Sequence, residues 1–530
     1  LKHSQTIHTV SLLLGWSKNR VDAAQAVLAF ADRLMETRGP VNTVAYLKEA
    51  HRCLTKAMGG TPERKCATAF PIGLDKAGYP KLLPRAIRVP ATAGSTLDRM
   101  VALFILSLYR EMIIPGELRL DSVIKPCTAN LGVFRASVDW AGSARRFVAA
   151  LGSFGYEPSD LSALQWKHPH VTNKSGPNGP AMMNCYIDAA HILVHPLWET
   201  FKRYAELTHS TEVLPLVRRL GKYAWRWRMP SARVPEPRLG RISTKEEAAG
   251  KVRIFALVDY WTQTLLKQLH THLYEVLRSI PTDCTFDQQA GVRRAASAAA
   301  SGVKNFWSFD LSAATDRFPV RLQTELLASI FRDPGAYEFA ELWRKLLVDR
   351  TYAISTEDAK KIASGDDFFM LQDQKVRVKP LLVKEVRYAC GQPMGAYSSW
   401  ATFALSHHML IQLAARLSGY KGWWLNYQLL GDDVVLWGDD VLSERVANEY
   451  LSLCRRIGVA VNLSKSLVSN RGVFEFAKAL VVEGTSLTPF HLKEWSVAFK
   501  TPQAFVGFIS LMLERKVVVT PLRAVLTWFH

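Results

Sequence analysis

The sequence predicts an α+β protein whose β core lies late in the chain. Three observations carry this. Residues 1–165 are dominated by apolar positions at helix period, and strands and helices alternate from Asn305 to about Glu483. Two apolar runs, Tyr427 to Leu430 and Val434 to Trp437, flank the tight turn Gly431-Asp432-Asp433. Such runs around a Gly-Asp turn predict an antiparallel hairpin.

Taken in order, Ala23 to Thr37, Leu97 to Ile113 and Ala144 to Gly152 read as helices, because their apolar residues recur on one face. His168 to Pro180, rich in Gly, Pro, Asn and Ser, reads as a loop. A basic segment runs from Arg218 to Arg253, residues 256–300 return to helix, and Asn305 to Phe309 reads as a strand. Tyr397 to Leu417 predicts a long helix behind a Gly-Pro loop, Val441 to Ile457 another, and Pro489 to His530 looks helical again. No internal repeat interrupts this order.

At 530 residues the chain can bury a large core divided into subdomains. Its formal net charge of +20 is spread along the whole length, which favours a polyanionic partner: nucleic acid first, an anionic membrane surface second. A solvated basic surface is the plainer alternative. The seven cysteines are scattered with no Cys-x-x-Cys pair, which argues against a zinc site or disulfide framework and for a reducing compartment. No apolar run reaches the length of a membrane span. The chain begins at Leu1 instead of Met, so its start says little about targeting.

The hairpin turn sets two carboxylates side by side. Adjacent anions on a rigid turn repel, and a bound divalent cation would remove that penalty, so metal-assisted phosphoryl transfer is the expected chemistry. Two further Gly-Asp-Asp triplets serve as controls. Gly365-Asp366-Asp367 lies in a polar stretch with no strand before it, and Gly438-Asp439-Asp440 opens the helix at Val441, where Asp is a natural N-cap. Both read as structural.

Asp310 ends the strand before Leu311-Ser312-Ala313-Ala314-Thr315-Asp316-Arg317. If that strand pairs beside the hairpin, Asp310 is expected to meet Asp432. With Asp433 assisting, the carboxylates would hold two magnesium ions, with manganese as a substitute. Alone, Asp310 reads equally well as a helix N-cap. Asp316 is a candidate to accept from a ribose hydroxyl, or else to pair with Arg317. In Cys390-Gly391-Gln392-Pro393-Met394-Gly395, Gly391 and Gly395 permit close approach of a sugar-phosphate chain. Ser398 and Ser399, at the helix head, are candidates for template or ribose contacts. A simple capping turn is the alternative.

In order and character these segments resemble motifs A, B and C of viral RNA-dependent RNA polymerases. Phe309-Asp310-Leu311-Ser312-Ala313-Ala314-Thr315-Asp316-Arg317 and Gly391-Gln392-Pro393-Met394-Gly395 are similar to those of the mitoviruses, capsidless RNA replicons of fungal and plant mitochondria related to narnaviruses and leviviruses. The resemblance spans about residues 170 to 485. It implies a right-hand polymerase with an antiparallel palm sheet and a helical N-terminal region. Residues 1–165 would be N-terminal extension and fingers, 166–300 fingers with the segment that admits nucleotide, and 320–388 a fingers insertion. Residues 301–319 and 389–470 would be palm, and 471–530 motif E with a small thumb.

The resemblance also implies roles. Asp310, Asp432 and Asp433 would be the catalytic metal ligands. Lys465, in a segment similar to motif D, would protonate the departing pyrophosphate; taken alone it is a surface lysine after a strand. Arg238, Arg241, Lys245, Lys251 and Arg253 resemble motif F and would steer the nucleotide triphosphate. Lys251-Val252-Arg253-Ile254 alternates, so its two cations share one strand face. For Arg238 and Arg241 a solvated face is the alternative. Lys174-Ser175-Gly176-Pro177-Asn178-Gly179-Pro180 is similar to the motif G loop beside the template, or is just a turn. Phe474-Glu475-Phe476-Ala477-Lys478 resembles motif E, and Thr285 to Gln289 resembles a mitoviral pattern with no chemistry assigned.

Two departures stand out. Ser399 lies near the place where many viral polymerases have Asn. Little chain follows motif E, so the thumb must be small or must borrow other parts of the chain. The implied partners are a single-stranded RNA template, product RNA duplex and nucleoside triphosphates, without a capsid, in the host mitochondrion; membrane attachment is open. Two competing readings are a reverse transcriptase and a non-catalytic basic RNA-binding protein. Leu430, two before the aspartate pair where reverse transcriptases carry an aromatic, argues against the first. A concentrated anionic pocket argues against the second.

Overall fold

The computed structural model describes residues 2–63, 71–224, 226, 238–355, 358, 368–371, 374–377, 384–488, 492–514 and 523. The Gly365-Asp366-Asp367 triplet lies outside them, as do much of the basic segment before Arg238 and parts of the C-terminal region after Thr488.

The centre is a four-stranded antiparallel sheet in the order Tyr427–Leu430, Asp433–Trp437, Phe306–Asp310, Leu467–Ser469. Alternating side chains sort its two faces. On one face Phe309 stacks on Tyr450 (ring centroids 5.5 Å apart), which brings the helix Val441–Arg456 onto the sheet. On the other, Phe306 stacks on Phe474 at 5.1 Å. That contact joins the sheet to a three-stranded antiparallel meander, Val473–Phe476, Ala479–Val482 and Thr485–Ser486. The helix Gln288–Ala300 shares this second core. Thr282 and Cys284 exchange backbone hydrogen bonds with Leu429, and Asp287 caps the Gln288–Ala300 helix, so the Thr285 to Gln289 pattern has a structural task.

A second four-stranded sheet carries the long hairpin Gly240–Glu247 and Lys251–Val258, with short strands Tyr352–Ala353 and Glu385–Val386 completing it. The hairpin leads directly into the helix Tyr260–Ser279, capped by Asp259. The predicted strand at 251 thus extends to Val258, through residues expected to be helical. The helix expected at Tyr397 begins at Ser399, because Ser398 takes a left-handed backbone (φ +70°).

The N-terminal helices do not form a separate layer. Ile7, Val10, Leu54, Ile87 and Phe104 share one apolar core with Leu467, Val482, Trp495 and Phe508. The C-terminal helices Leu492–Ala498 and Pro502–Glu514 therefore pack with the start of the chain. The longest helical stretch, Lys18–Met58, is two helices in tandem. Gly39 (φ +79°) breaks the first, and Pro40 opens the second, where its missing N–H costs nothing.

Candidate active site

The hairpin turn is two residues long, Gly431-Asp432, with Leu430 paired to Asp433. Gly431 supplies the positive φ (+62°) such a turn requires, and a Cβ there would overlap the ring of Trp400. The expected meeting of Asp310 with Asp432 is corrected in one respect. The residue directly across the ladder from Asp310 is Asp433, and Asp432 sits in the turn itself. Cross-strand partners share a face, so Asp310 and Asp433 lie on the same side of the sheet.

Asp310, Asp432 and Asp433 line one cavity of about 720 Å³. Lys251, Arg253, Lys465 and Glu475 line it too. Lys465 Nζ is 3.4 Å from Asp310 Oδ2. Arg253 Nε donates to Glu247 at 2.7 Å. Ile254 is buried, as the alternation requires, and the facing cations point to the carboxylates.

The centre is crowded with negative charge. The Asp432 carboxyl is raised above its ordinary range by desolvation and by the Asp310 charge, against the pull of Lys251 and Arg253. Asp433 is pushed up to about 8 by burial first, with Glu475, Asp432 and Asp310 adding to it. Its Oδ2 accepts from Ala477 N at 2.7 Å, which opposes the rise. Glu475 is raised by burial and by Asp310, while Arg110 opposes. Hard carboxylate oxygens that repel one another are the donor set magnesium or manganese suits. Among the described residues no three carboxylate, imidazole or thiolate groups converge closely enough to enclose an ion as they stand. Asp433 is drawn to Ala477 and Asp310 to Lys465. Asp310 and Asp432 are the residues that would hold a cation, with Asp433 behind them.

Other expected site residues fall elsewhere. Asp316 is buried and its carboxylate accepts from Ser122 Oγ at 2.7 Å; burial pushes it up to about 6. It does not line the cavity with the aspartates. Ser398 Oγ accepts from Trp343 Nε1 at 2.8 Å and donates to Tyr397 O. Ser399 Oγ is buried without a hydrogen-bond partner among the described residues. Gly391 donates its N–H to Asp316 O at 2.8 Å, and a Cβ there would overlap residues 315 and 316. Gly395 (φ +109°) lies against Ala256. Both glycines lie in close approach to protein backbone. Arg238, Arg241 and Lys245 are outside the cavity: Arg241 reaches Gly176 O at 3.4 Å, and Lys245 pairs across the ladder with Arg253. Lys174 and Ser175 are exposed, and Gly176 is buried in a tiny hairpin with Gly179–Pro180.

The control triplet behaves as expected. Asp440 caps its helix by accepting from Ser443 N at 2.7 Å, and Asp439 accepts from Lys304 N and Asn305 N. One wall of the cavity comes from a helix that no motif in the sequence marks. Lys48, Arg52 and Lys56, from the second half of Lys18–Met58, line it alongside the aspartates. Their spacing of four residues was the available signal, hidden because Gly39-Pro40 reads as a helix stop. The Lys48 ammonium is held below the ordinary lysine range by burial and by the Lys465 charge, while Asp310 opposes.

Fold and cavity together define a class: an α+β protein with an acidic centre, ringed by cations, on an antiparallel sheet. The chain belongs to the mitovirus RNA-dependent RNA polymerase family, whose model matches residues 162–526. It is 28% identical over 486 residues to the RNA-directed RNA polymerase of Cryphonectria parasitica mitovirus 1, covering 87% of this chain and 52% of that protein. The chain thus spans about half the length of that relative. An uncharacterized mitochondrial protein of Arabidopsis thaliana is 37% identical over 211 residues, covering 39% of this chain and 70% of that one. Among solved structures, the RNA-dependent RNA polymerase of a human picorbirnavirus aligns with TM-score 0.35 and 15% identity over 54% of this chain and 57% of that one. No described helix is long and apolar enough to cross a membrane.

Proposed function

We propose that this chain performs RNA-templated RNA synthesis by nucleotidyl transfer. The observation that carries the reading is the convergence of Asp310 and Asp432 on one cavity with Lys251, Arg253 and Lys465. Family membership supports it. In this reading the central sheet is the palm, the 240–258 hairpin belongs to the fingers, and the C-terminal helices with the N-terminal ones serve as thumb. Bound at Asp310 and Asp432, two magnesium or manganese ions would lower the pKa of the attacking 3′-hydroxyl and neutralise the triphosphate. Asp433 would hold the turn in place and assist.

The chain's own residues supply the rest. Lys251 and Arg253 bind and orient phosphate oxygens of the nucleotide. The RNA 3′-hydroxyl gives its proton to water, its oxygen bonds to the α-phosphorus as the bond to the bridging oxygen breaks, and Lys465 gives a proton to the departing pyrophosphate. The position of Lys465 Nζ, 3.4 Å from Asp310 Oδ2, supports this role. Template RNA and nucleoside triphosphates are the substrates, and a mitochondrial setting is supported by the plant mitochondrial relatives.

The test is RNA synthesis on a short template with magnesium, comparing the wild type with Asp432→Asn and comparing ribo- with deoxynucleotides. Product only from the wild type, and only from ribonucleotides, is expected. Equal product from both proteins would overturn the reading.

A further inference from the structure

One wall of the cavity has no part in the reaction as proposed. It is the second half of the Lys18–Met58 helix, whose Lys48, Arg52 and Lys56 lie one turn apart on a single face. Two of the three are committed. Arg52 is bound by Glu49 and Glu63 and reaches Ser464 O at 3.4 Å, and Lys56 donates to Leu463 O at 3.2 Å. These bonds fasten the helix to the loop that carries Lys465. Lys48 is different. It is exposed to the cavity and has no hydrogen-bond or ion-pair partner among the described residues.

We infer that Lys48 binds the nucleotide, its ammonium taking a phosphate oxygen of the incoming triphosphate together with Lys251 and Arg253. This rests on the polymerase reading and extends it to a residue some 260 positions before Asp310. Two observations and the chemistry of lysine favour a small polyphosphate over an RNA strand as the ligand. The cavity, about 720 Å³, falls within the range of small-molecule sites. Its other cations, Lys251, Arg253 and Lys465, surround the carboxylates that would face a triphosphate. A lysine is a mobile point charge on a long stem, suited to a phosphate that changes position as pyrophosphate leaves. A lysine serving only to hold the helix in place would be bonded as Arg52 and Lys56 are.

The test uses the full chain carrying Lys48→Met, Lys48→Gln or Lys48→Arg. Binding of a fluorescent non-hydrolysable nucleoside triphosphate is measured directly, binding of a short single-stranded RNA is measured without nucleotide, and KM and kcat are taken from primer extension. Loss of one charge-assisted bond predicts about tenfold weaker nucleotide binding and a similar rise in KM for Met and Gln. Lys48→Arg restores most of the affinity, and RNA binding is unchanged throughout. Unchanged nucleotide affinity in variants that melt like the wild type would overturn the inference. So would a loss confined to RNA binding, which would put Lys48 on the template or product backbone. A wild type that binds nucleotide but makes no RNA under any divalent cation would sink the polymerase reading and leave the Lys48 contact standing.

Discussion

His407 Nδ1 lies 2.7 Å from the carbonyl oxygen of Gly431, directly under the turn that carries Asp432. Its Nε2 is 2.8 Å from the Tyr450 hydroxyl, and burial pushes the ring down to about 3, so it is neutral at any working pH. A neutral imidazole fits this place in one tautomer: Nδ1–H donates to the carbonyl and Nε2 accepts from the tyrosine. The ring ties the turn to two helices at once. His407→Ala removes the donor to the buried Gly431 carbonyl and the acceptor of the Tyr450 hydroxyl, at about 1–3 kcal/mol for a group left unpaired. The expected outcome is a lower melting temperature together with a fall in kcat, while KM for nucleotide changes little. Unchanged melting and unchanged synthesis would show that the turn holds itself.

Repulsion among Asp310, Asp432, Asp433 and Glu475 predicts that divalent cations stabilise the protein itself, apart from any RNA synthesis. A cation that binds only the folded state adds about 2.7 kcal/mol at a hundredfold excess over its Kd. Magnesium or manganese should therefore raise the melting temperature of the wild type in a dose-dependent way. In Asp432→Asn the shift should shrink sharply, and the variant should start from a stability equal to or above that of the cation-free wild type, because one repelling charge is gone. Calorimetry with and without a chelator measures both. A shift that survives in Asp310→Asn and Asp432→Asn alike would place the ions elsewhere.

The parts of this site that sequence revealed are those decided by neighbours along the chain. The hairpin at Gly431 is set by two apolar runs and one positive φ, and the Lys251-Val252-Arg253-Ile254 alternation by the pleat. What it hid depends on partners far away. Asp316 looked free to face a ribose until Ser122, 194 positions earlier, proved to bind its carboxylate. Ser398 is engaged by Trp343. That the ladder pairs Asp310 with Asp433 and leaves Asp432 in the turn is a matter of register, which local signals do not fix. The Lys48 wall escaped because Gly39-Pro40 ends one helix and starts the next, and local signals show only the ending.

Asp188 gives the fold a pH dependence with a definite sign. Its carboxylate accepts from Asn178 Nδ2 at 2.7 Å and from Tyr260 N at 2.8 Å, tying the 175–180 turn to the head of the Tyr260–Ser279 helix. Burial, with the Asp259 charge adding, pushes it up to about 7; Asn178, Tyr260 and Arg350 oppose. In the unfolded chain it ionises near the ordinary aspartate value of about 3.9. Between these two values the native state binds more protons than the unfolded state, so stability falls as pH rises and levels off above 7. One such group contributes at most about 1.4 kcal/mol per pH unit in that window. Asp188→Asn should remove this slope, so that its stability relative to the wild type improves steadily from pH 4 to pH 7. Urea midpoints at four pH values measure the trend, and parallel wild-type and variant curves would refute the assignment.

A fully buried ion pair links the cation row to the rest of the fold. Arg350 and Asp259 are both fully buried, with the Arg350 guanidinium 2.6 Å from Asp259 Oδ2. Arg350 also donates to Leu239 O at 2.8 Å and Thr262 Oγ1 at 2.9 Å. Asp259 follows the last residue of the strand that carries Lys251 and Arg253, and its other oxygen caps the next helix. Removing one partner of such a pair strands a buried charge, and Arg350→Ala should cost about 3–5 kcal/mol. Lys should rescue little, because a single ammonium cannot span Leu239, Asp259 and Thr262 as the planar fork does. The cost should also be non-additive. Arg350→Met combined with Asp259→Asn, which keeps the helix cap without the charge, should recover much of what Arg350→Met alone loses. Because the strand end is anchored here, the single variants should raise KM for nucleotide before they abolish synthesis. Denaturant midpoints for the four proteins of this cycle give the coupling, and purely additive losses would mean that Arg350 acts through packing alone.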